Sequence, residues 1–434
     1  MVNIKPIHHF ILICLYTISN SVIEVPITIN DQKLPTIPIT LGGNQTFNVV
    51  VDTGSQHFWV ADEASTVYVT TKYNKASPTF SDLNKKFIAN YTTGEQIRGN
   101  LGEETFSIPS TPLTPDNAIK MNFGLAMSGS LMLDKIDGFL GFGRNYNSHI
   151  ELTDKSDLLL QLKNNNLISQ RIFSLKYYNN TSTNKLEGTL YLGDWNKSLV
   201  VPSNSSNTYE CSIIKSYTHE WACKLSHIII GDPESFRTTA IPVNKDAFFN
   251  TGSSSNILPI EYLEIFKKKF SKAECHNETM NEYEHLYCKN ITKIPSMYFV
   301  FGEYGINVDM NNFFSVVSDE KEEESKFVFR FMFSYKHDHI VFGVTLLKDY
   351  QLFFDEERSV VGFYNSNQSK IRHLIAYMKP HWFAYILVVI LFILEGVMVL
   401  WFVVWCKKSK TLNTTAGSAL ISAESLGDIG TKLD

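Results

Sequence analysis

The chain has 434 residues, 44% of them apolar, 13% aromatic and 19% charged. That balance is globular and excludes wholesale disorder, collagen-like repeats and low-complexity fibres. Thirty-nine Lys and Arg against 44 Asp and Glu leave a net charge of −5. With no basic excess to neutralise phosphates, a nucleic-acid partner is not expected.

Residues 1–21 carry Lys5, an apolar run from Phe10 to Ile18, and the small residues Ser19 and Ser21. This is the layout of a secretory signal peptide cleaved after Ser21, its apolar run being too short to span a bilayer. Short alternating segments with turn signals follow, and they predict a mostly β region. Helical periodicity appears around Ser156–Asn164 and Ile260–Phe270. Residues 382–405 hold one charged residue, Glu395, with Trp382, Tyr385, Trp401 and Trp405 near the ends. At 1.5 Å per residue that stretch covers a hydrocarbon core of about 30 Å, so it reads as a transmembrane helix. Lys407, Lys408 and Lys410 follow at once. The positive-inside rule then makes 406–434 a cytoplasmic tail, giving a single-pass type I protein with its ectodomain extracellular or in an endolysosomal lumen.

Of six cysteines, Cys14 lies in the signal and Cys406 at the membrane edge. Cys211, Cys223, Cys275 and Cys288 remain for an oxidising compartment, which suggests two disulfides. Proximity favours Cys211–Cys223 and Cys275–Cys288 among the three connectivities. No Cys or His spacing suggests a metal, and no cofactor is expected. Asn-x-Ser/Thr glycosylation sites stand at Asn44, Asn90, Asn179, Asn180, Asn196, Asn204, Asn277, Asn290 and Asn367.

The region between signal and span contains an internal echo. Residues 49–55 read Val-Val-Val-Asp-Thr-Gly-Ser, and residues 247–253 read Ala-Phe-Phe-Asn-Thr-Gly-Ser. Each is an apolar strand entering a tight turn at Gly54 or Gly252. Two apolar residues and a Gly follow each copy at matched distance, Phe139-Leu140-Gly141 and Val341-Phe342-Gly343. Paired half-sites of this kind resemble the pepsin-like aspartic endopeptidases (family A1). The resemblance implies an all-β, bilobal acid-protease fold with a cleft between two lobes, here 22–195 and 196–366, plus the one transmembrane helix.

By that resemblance Asp52 and position 250 are the catalytic pair, and Thr53 and Thr251 cross-brace the two turns. Ser55 and Ser253 orient the acidic groups. Ala89 to Gly94 is similar to the flap that folds over bound peptide, with Tyr91 meeting the indole N–H of Trp59. Tyr91, Thr92, Thr93, Gly94, Gly54, Gly252 and Ser253 would contact substrate. In such a dyad one carboxylate activates water while the other, protonated, donates to the scissile carbonyl.

Position 250, however, is Asn. A carboxamide keeps the shape and hydrogen bonds of the site but neither ionises nor relays a proton. It also removes like-charge repulsion, so Asp52 is expected to titrate more nearly as an isolated acid. Asp246, four residues upstream, is no substitute. The Gly343-Val344 pair lacks the acidic residue usual after that Gly, no cysteine pair follows Trp59, and no basic pro-segment precedes Ile23. Three functions follow: a peptide-binding homologue with proteolysis absent or severely reduced, an active acid endopeptidase, and a structural surface glycoprotein. The expected partners are extended peptides and the membrane, and the sequence is silent on oligomeric state.

Overall fold

The computed structural model describes residues 22–30, 33–91, 95–109, 111–114, 117–129, 136–144, 154–183, 185–194, 208–233, 238–280, 282–308, 310–317, 326–365, 371–374, 387 and 389–408. The expected signal peptide, most of the expected tail, and Thr92, Thr93, Gly94, Asn196, Asn204 and Asn367 lie outside these residues. The chain divides into two units, one up to Leu374 and one from Ile375.

Among the described residues the first unit is built on a 13-stranded and an 11-stranded sheet. In the first, Gln45–Asp52 lies parallel to Gly138–Gly141, with Asp52 opposite Gly141. In the second, Thr239–Phe249 lies parallel to Ile340–Phe342, with Phe249 opposite Phe342. Val49, Val50 and Val51 are all fully buried, as a β-branched run must be when both faces of a parallel pair are covered. The repeated sequence is therefore a repeated piece of structure.

The larger sheet does not stop at residue 195. It also takes in Thr208–Ser212, Gln351–Asp355 and Val360–Tyr364, the middle one pairing with Ile172–Asn180. One apolar core consequently runs through both halves of the unit, from Phe47 and Val49 to Phe342 and Phe363. At its centre Phe173 stacks on Phe354 at 4.6 Å and meets Trp221 edge-on at 5.8 Å. Truncating one such fully buried ring to Ala typically costs about 3–5 kcal/mol.

Ser81–Asn90 and Gln96–Ser107 form an antiparallel hairpin that closes at Asn90 opposite Gln96. Beneath it lies a second, smaller core of Trp59, Phe87, Ala89, Ile97 and Phe139, with Tyr91 packed on its edge. Two helices fall where the apolar spacing puts them, and a third, Val344–Leu347, was not expected. Leu158–Asn164 is capped by Asp157, whose carboxylate accepts the Leu160 N–H, and Leu263–Lys269 follows a turn of 3-10 helix. Cys211–Cys223 and Cys275–Cys288 are bonded.

Among the described residues of the second unit, one helix, Val389–Lys408, is long and apolar enough to cross a membrane. Its end lies past the Trp405 boundary expected from hydropathy and takes in Cys406, Lys407 and Lys408.

Candidate active site

The two Thr-Gly turns meet back to back. The Thr53 N–H donates to Thr251 Oγ1 and the Thr251 N–H to Thr53 Oγ1, each at 3.0 Å. Each hydroxyl in turn donates across the junction, Thr53 Oγ1 to the Phe249 carbonyl at 2.7 Å and Thr251 Oγ1 to the Val51 carbonyl at 2.5 Å. Both threonines are fully buried. Every polar group at the junction is thus paired within a two-fold pattern, which fixes one turn against the other.

That brace brings Asp52 and position 250 together. A Cβ built on Gly54 would lie 2.3 Å from Asn250 Cγ, and one on Gly252 would lie 2.3 Å from Asp52 Oδ1. Glycine is required at both positions because the opposite half-site's side chain occupies the space. The Gly54 N–H donates to Asp52 Oδ1 at 2.8 Å, and the Gly252 N–H donates to Asn250 Oδ1 at 2.8 Å. The carboxamide therefore sits as a carboxylate would, with its oxygen turned toward the turn.

The serines differ. Ser55 Oγ donates to Asp52 Oδ2 at 2.6 Å, but Ser253 Oγ donates to the Ser255 carbonyl at 2.8 Å and not to Asn250. The expectation that both serines orient the paired groups is thus corrected. A neutral amide oxygen offers the hydroxyl no charge-assisted bond, so a backbone carbonyl competes successfully.

Asp52 is 3% exposed. Burial pushes its carboxyl above the usual Asp range, against hydrogen bonds from Ser55, Gly54 and Gly252 that pull it down. Loss of a like-charged neighbour therefore does not return Asp52 to an ordinary acid, as the sequence suggested, because desolvation outweighs the donors.

Over the pair, the Trp59 indole N–H donates to the Tyr91 hydroxyl at 2.6 Å. Phe139 stacks on Trp59 at 5.6 Å and touches Tyr91 at 5.6 Å, so the hairpin rests on an aromatic platform. Burial and the charge of Asp52 raise the Tyr91 hydroxyl, which keeps its proton and leaves it a donor. Asp246 is engaged elsewhere, accepting from Tyr217 Oη at 2.8 Å and pairing with Lys224 at 2.9 Å.

Sequence reading missed a polar link between the lobes. Arg144, just after the strand Gly138–Gly141, is buried and donates to the Tyr217 carbonyl at 3.0 Å and to Ser359 Oγ at 3.1 Å. Gln56 Nε2 reaches both the Arg144 carbonyl and His219 Nδ1. The Trp221 indole donates to the Phe142 carbonyl at 2.7 Å. These partners lie far apart in sequence, and no local signal marks them.

Of the glycosylation sites, Asn44, Asn90, Asn179 and Asn290 are exposed. Asn180 and Asn277 commit their amide nitrogens to Glu187 and Glu284 at 2.9 and 2.7 Å. Among the described residues no group of His, Cys, Asp and Glu is arranged to hold a metal ion.

The family model described as eukaryotic aspartyl protease matches residues 36–366. The chain belongs to the eukaryotic aspartyl protease family. Among curated relatives, it is 28% identical to "Secreted aspartic protease 1" of Candida albicans over 40% of this chain and 44% of that one. It is 26% identical to "Cathepsin D" of Mus musculus over 59% of this chain and 62% of the relative, and 25% identical to "Embryonic pepsinogen" of Gallus gallus over 59% and 62%. The matches thus span less than two-thirds of these relatives' lengths. Pepsin-like family membership and the mostly β bilobal fold agree with the sequence reading.

Proposed function

We propose that this protein is a membrane-anchored member of the aspartyl protease family that holds extended peptides in its cleft and cleaves them poorly or not at all. The observation that carries this reading is Asn250 seated opposite Asp52 in a braced pair of turns. Peptide hydrolysis by this arrangement needs a base to take a proton from water while an acid protonates the scissile carbonyl oxygen. A lone carboxyl has one proton site. Ionised, Asp52 serves as base with no acid opposite; protonated, it serves as acid with no base. The carboxamide can donate a hydrogen bond toward the carbonyl oxygen, which stabilises developing charge without transferring a proton.

Binding needs neither role. The hairpin carrying Tyr91, the aromatic platform and the braced turns form a cleft wall suited to an extended strand, recognised through its backbone and alternate side chains. The single apolar helix Val389–Lys408 supports anchoring, and the lysines at its end favour a cytoplasmic tail. The ectodomain would then face the cell exterior or an endolysosomal lumen, with glycans on its exposed sequons.

The test is capture of peptides from a protein digest by the full-length chain in detergent at pH 4 to 6, followed by mass spectrometry. Enrichment of intact peptides supports the reading. Capture with accumulation of new termini, abolished by Asp52→Ala, replaces it with an active endopeptidase, and no enrichment leaves a structural glycoprotein.

A further inference from the structure

A cluster of titratable side chains lies where the two lobes meet, beside the first half-site. Gln56 follows Ser55, the donor to Asp52, and its buried side chain crosses to the second lobe. Its Nε2 faces the Arg144 carbonyl and His219 Nδ1 at once. The backbones are tied there too. The Arg144 N–H donates to the His219 carbonyl at 2.8 Å, and the Gly143 N–H to the Ser55 carbonyl at 2.7 Å. A Cβ on Gly143 would lie 2.8 Å from the Ser55 carbonyl oxygen and 3.1 Å from that of His219. Loop 217–221 and the first turn therefore pack against one another at this glycine.

A carbonyl oxygen only accepts, so the Gln56 atom facing Arg144 is the amide nitrogen, which only donates. His219 Nδ1 faces that same nitrogen and is therefore the acceptor, a role an imidazole fills only while neutral. Protonated, the ring carries hydrogens on both nitrogens, and N–H meets N–H. Turning the Gln56 amide over to present Oε1 to the ring sets that oxygen against the Arg144 carbonyl instead. Either way a buried contact across the junction is lost.

The titratable and charged groups around His219 come from both lobes. From the first are Arg144, whose guanidinium lies over the Trp221 ring at 5.8 Å, and His57, whose ring meets Phe87 edge-on at 5.5 Å. From its own loop are Tyr217, held protonated by burial and its bond to Asp246, and Glu220, which accepts the His219 N–H at 3.3 Å. Asp157 and Glu356 border a small cavity next to Gln56 and Trp221, and both face Arg171, at 3.9 and 3.3 Å. Arg144 opposes a further positive charge here and Glu220 favours it. Burial first, and the neighbouring His219 second, hold the His57 pKa below the usual His value, so two charged rings at this junction are disfavoured. We propose that Gln56 and His219 form a pH-sensitive latch between the lobes, closed while His219 is neutral and released when it takes a proton, which frees loop 217–221 from the first half-site. Histidine changes charge between about pH 5 and 8, so the latch holds at neutral pH and opens in an acidic compartment. It operates whether or not the cleft holds peptide.

The test is hydrogen exchange of the full-length chain in detergent at pH 7.5 and pH 5, with rates corrected for the intrinsic effect of pH. The fragment bearing Arg144, whose N–H donates to the His219 carbonyl, reports the latch. The fragment bearing Val49 to Val51 reports the fold as a whole. On acidification, protection at Arg144 is expected to fall about tenfold, the size of one buried bond lost, with no change at Val49 to Val51. His219→Asn keeps an acceptor near the Nδ1 position that gains no proton, and should hold protection at both pH values. Gln56→Ala should lower it at both, and His57→Gln should leave the response intact. Equal protection of the parent at the two pH values overturns the latch, and that comparison needs no variant. A loss shared by Val49 to Val51 overturns it too. A response that survives in His219→Asn overturns the assignment to His219, and its disappearance in His57→Gln would move it to His57.

Discussion

Replacing Thr251 by Val tests whether the two turns act as one braced unit. Val matches the shape of Thr but removes the hydroxyl that accepts from the Thr53 N–H at 3.0 Å and donates to the Val51 carbonyl at 2.5 Å. Thr251 is fully buried, so water cannot replace either bond. Two backbone groups are orphaned, each at about 1–3 kcal/mol, and the expected loss of stability is about 2–6 kcal/mol. Thr53→Val should cost a similar amount, because it orphans the Thr251 N–H and the Phe249 carbonyl. Thr251→Ser keeps the hydroxyl and should retain most of the stability. The assay is denaturant unfolding of the full-length chain in detergent, followed by fluorescence of the buried Trp59 and Trp221. A loss below about 0.5 kcal/mol for Thr251→Val would refute the reasoning, since a buried brace cannot be removed at surface cost.

Three further outcomes follow from the same geometry. Burial raises the folded-state pKa of Asp52 above its unfolded value, so folding favours its protonated form. That contribution is full below about pH 4 and is lost as pH rises through the folded pKa. Asp52→Asn should therefore gain stability over the parent as pH rises from 3.5 to 7, measured by paired thermal melts; a pH-independent difference would contradict the raised pKa. Tyr91→Phe removes the acceptor of the Trp59 indole, and should weaken peptide binding several-fold while costing about 1 kcal/mol of stability, read by anisotropy titration and unfolding. Replacing Cys211 and Cys223 by Ala opens a loop of sequence separation 12, with an expected loss of about 3 kcal/mol in denaturant unfolding.

Much of this fold was legible because the chain states its plan twice. The two turn sequences and their matched Gly partners marked the two half-sites, and local apolar spacing marked the helices at Leu158 and Leu263, whereas the parallel pairing of the strands came only with the structure. The position of Tyr91 over Trp59 was legible by resemblance alone. What sequence could not give were contacts made by residues with no local pattern. Arg144, Gln56 and His219 converge from three segments. Ser253 shows the opposite failure. Its place in the repeat suggested a role like that of Ser55, yet exchanging a charged acceptor for a neutral one sent its hydroxyl to a backbone carbonyl. The extension of the larger sheet past residue 195 was likewise hidden, because pairing of Gln351–Asp355 with Ile172–Asn180 depends on tertiary register.

The central claim is that Asn250 at the second half-site is what disables proteolysis in this cleft. The most direct measurement is cleavage of a mixed peptide library at pH 3 to 6 by the parent and by Asn250→Asp, with Asp52→Ala in each background. The account predicts a silent parent and a variant that cuts only while Asp52 is present. A parent that cuts as well as its variant, in an Asp52-dependent way, would contradict it.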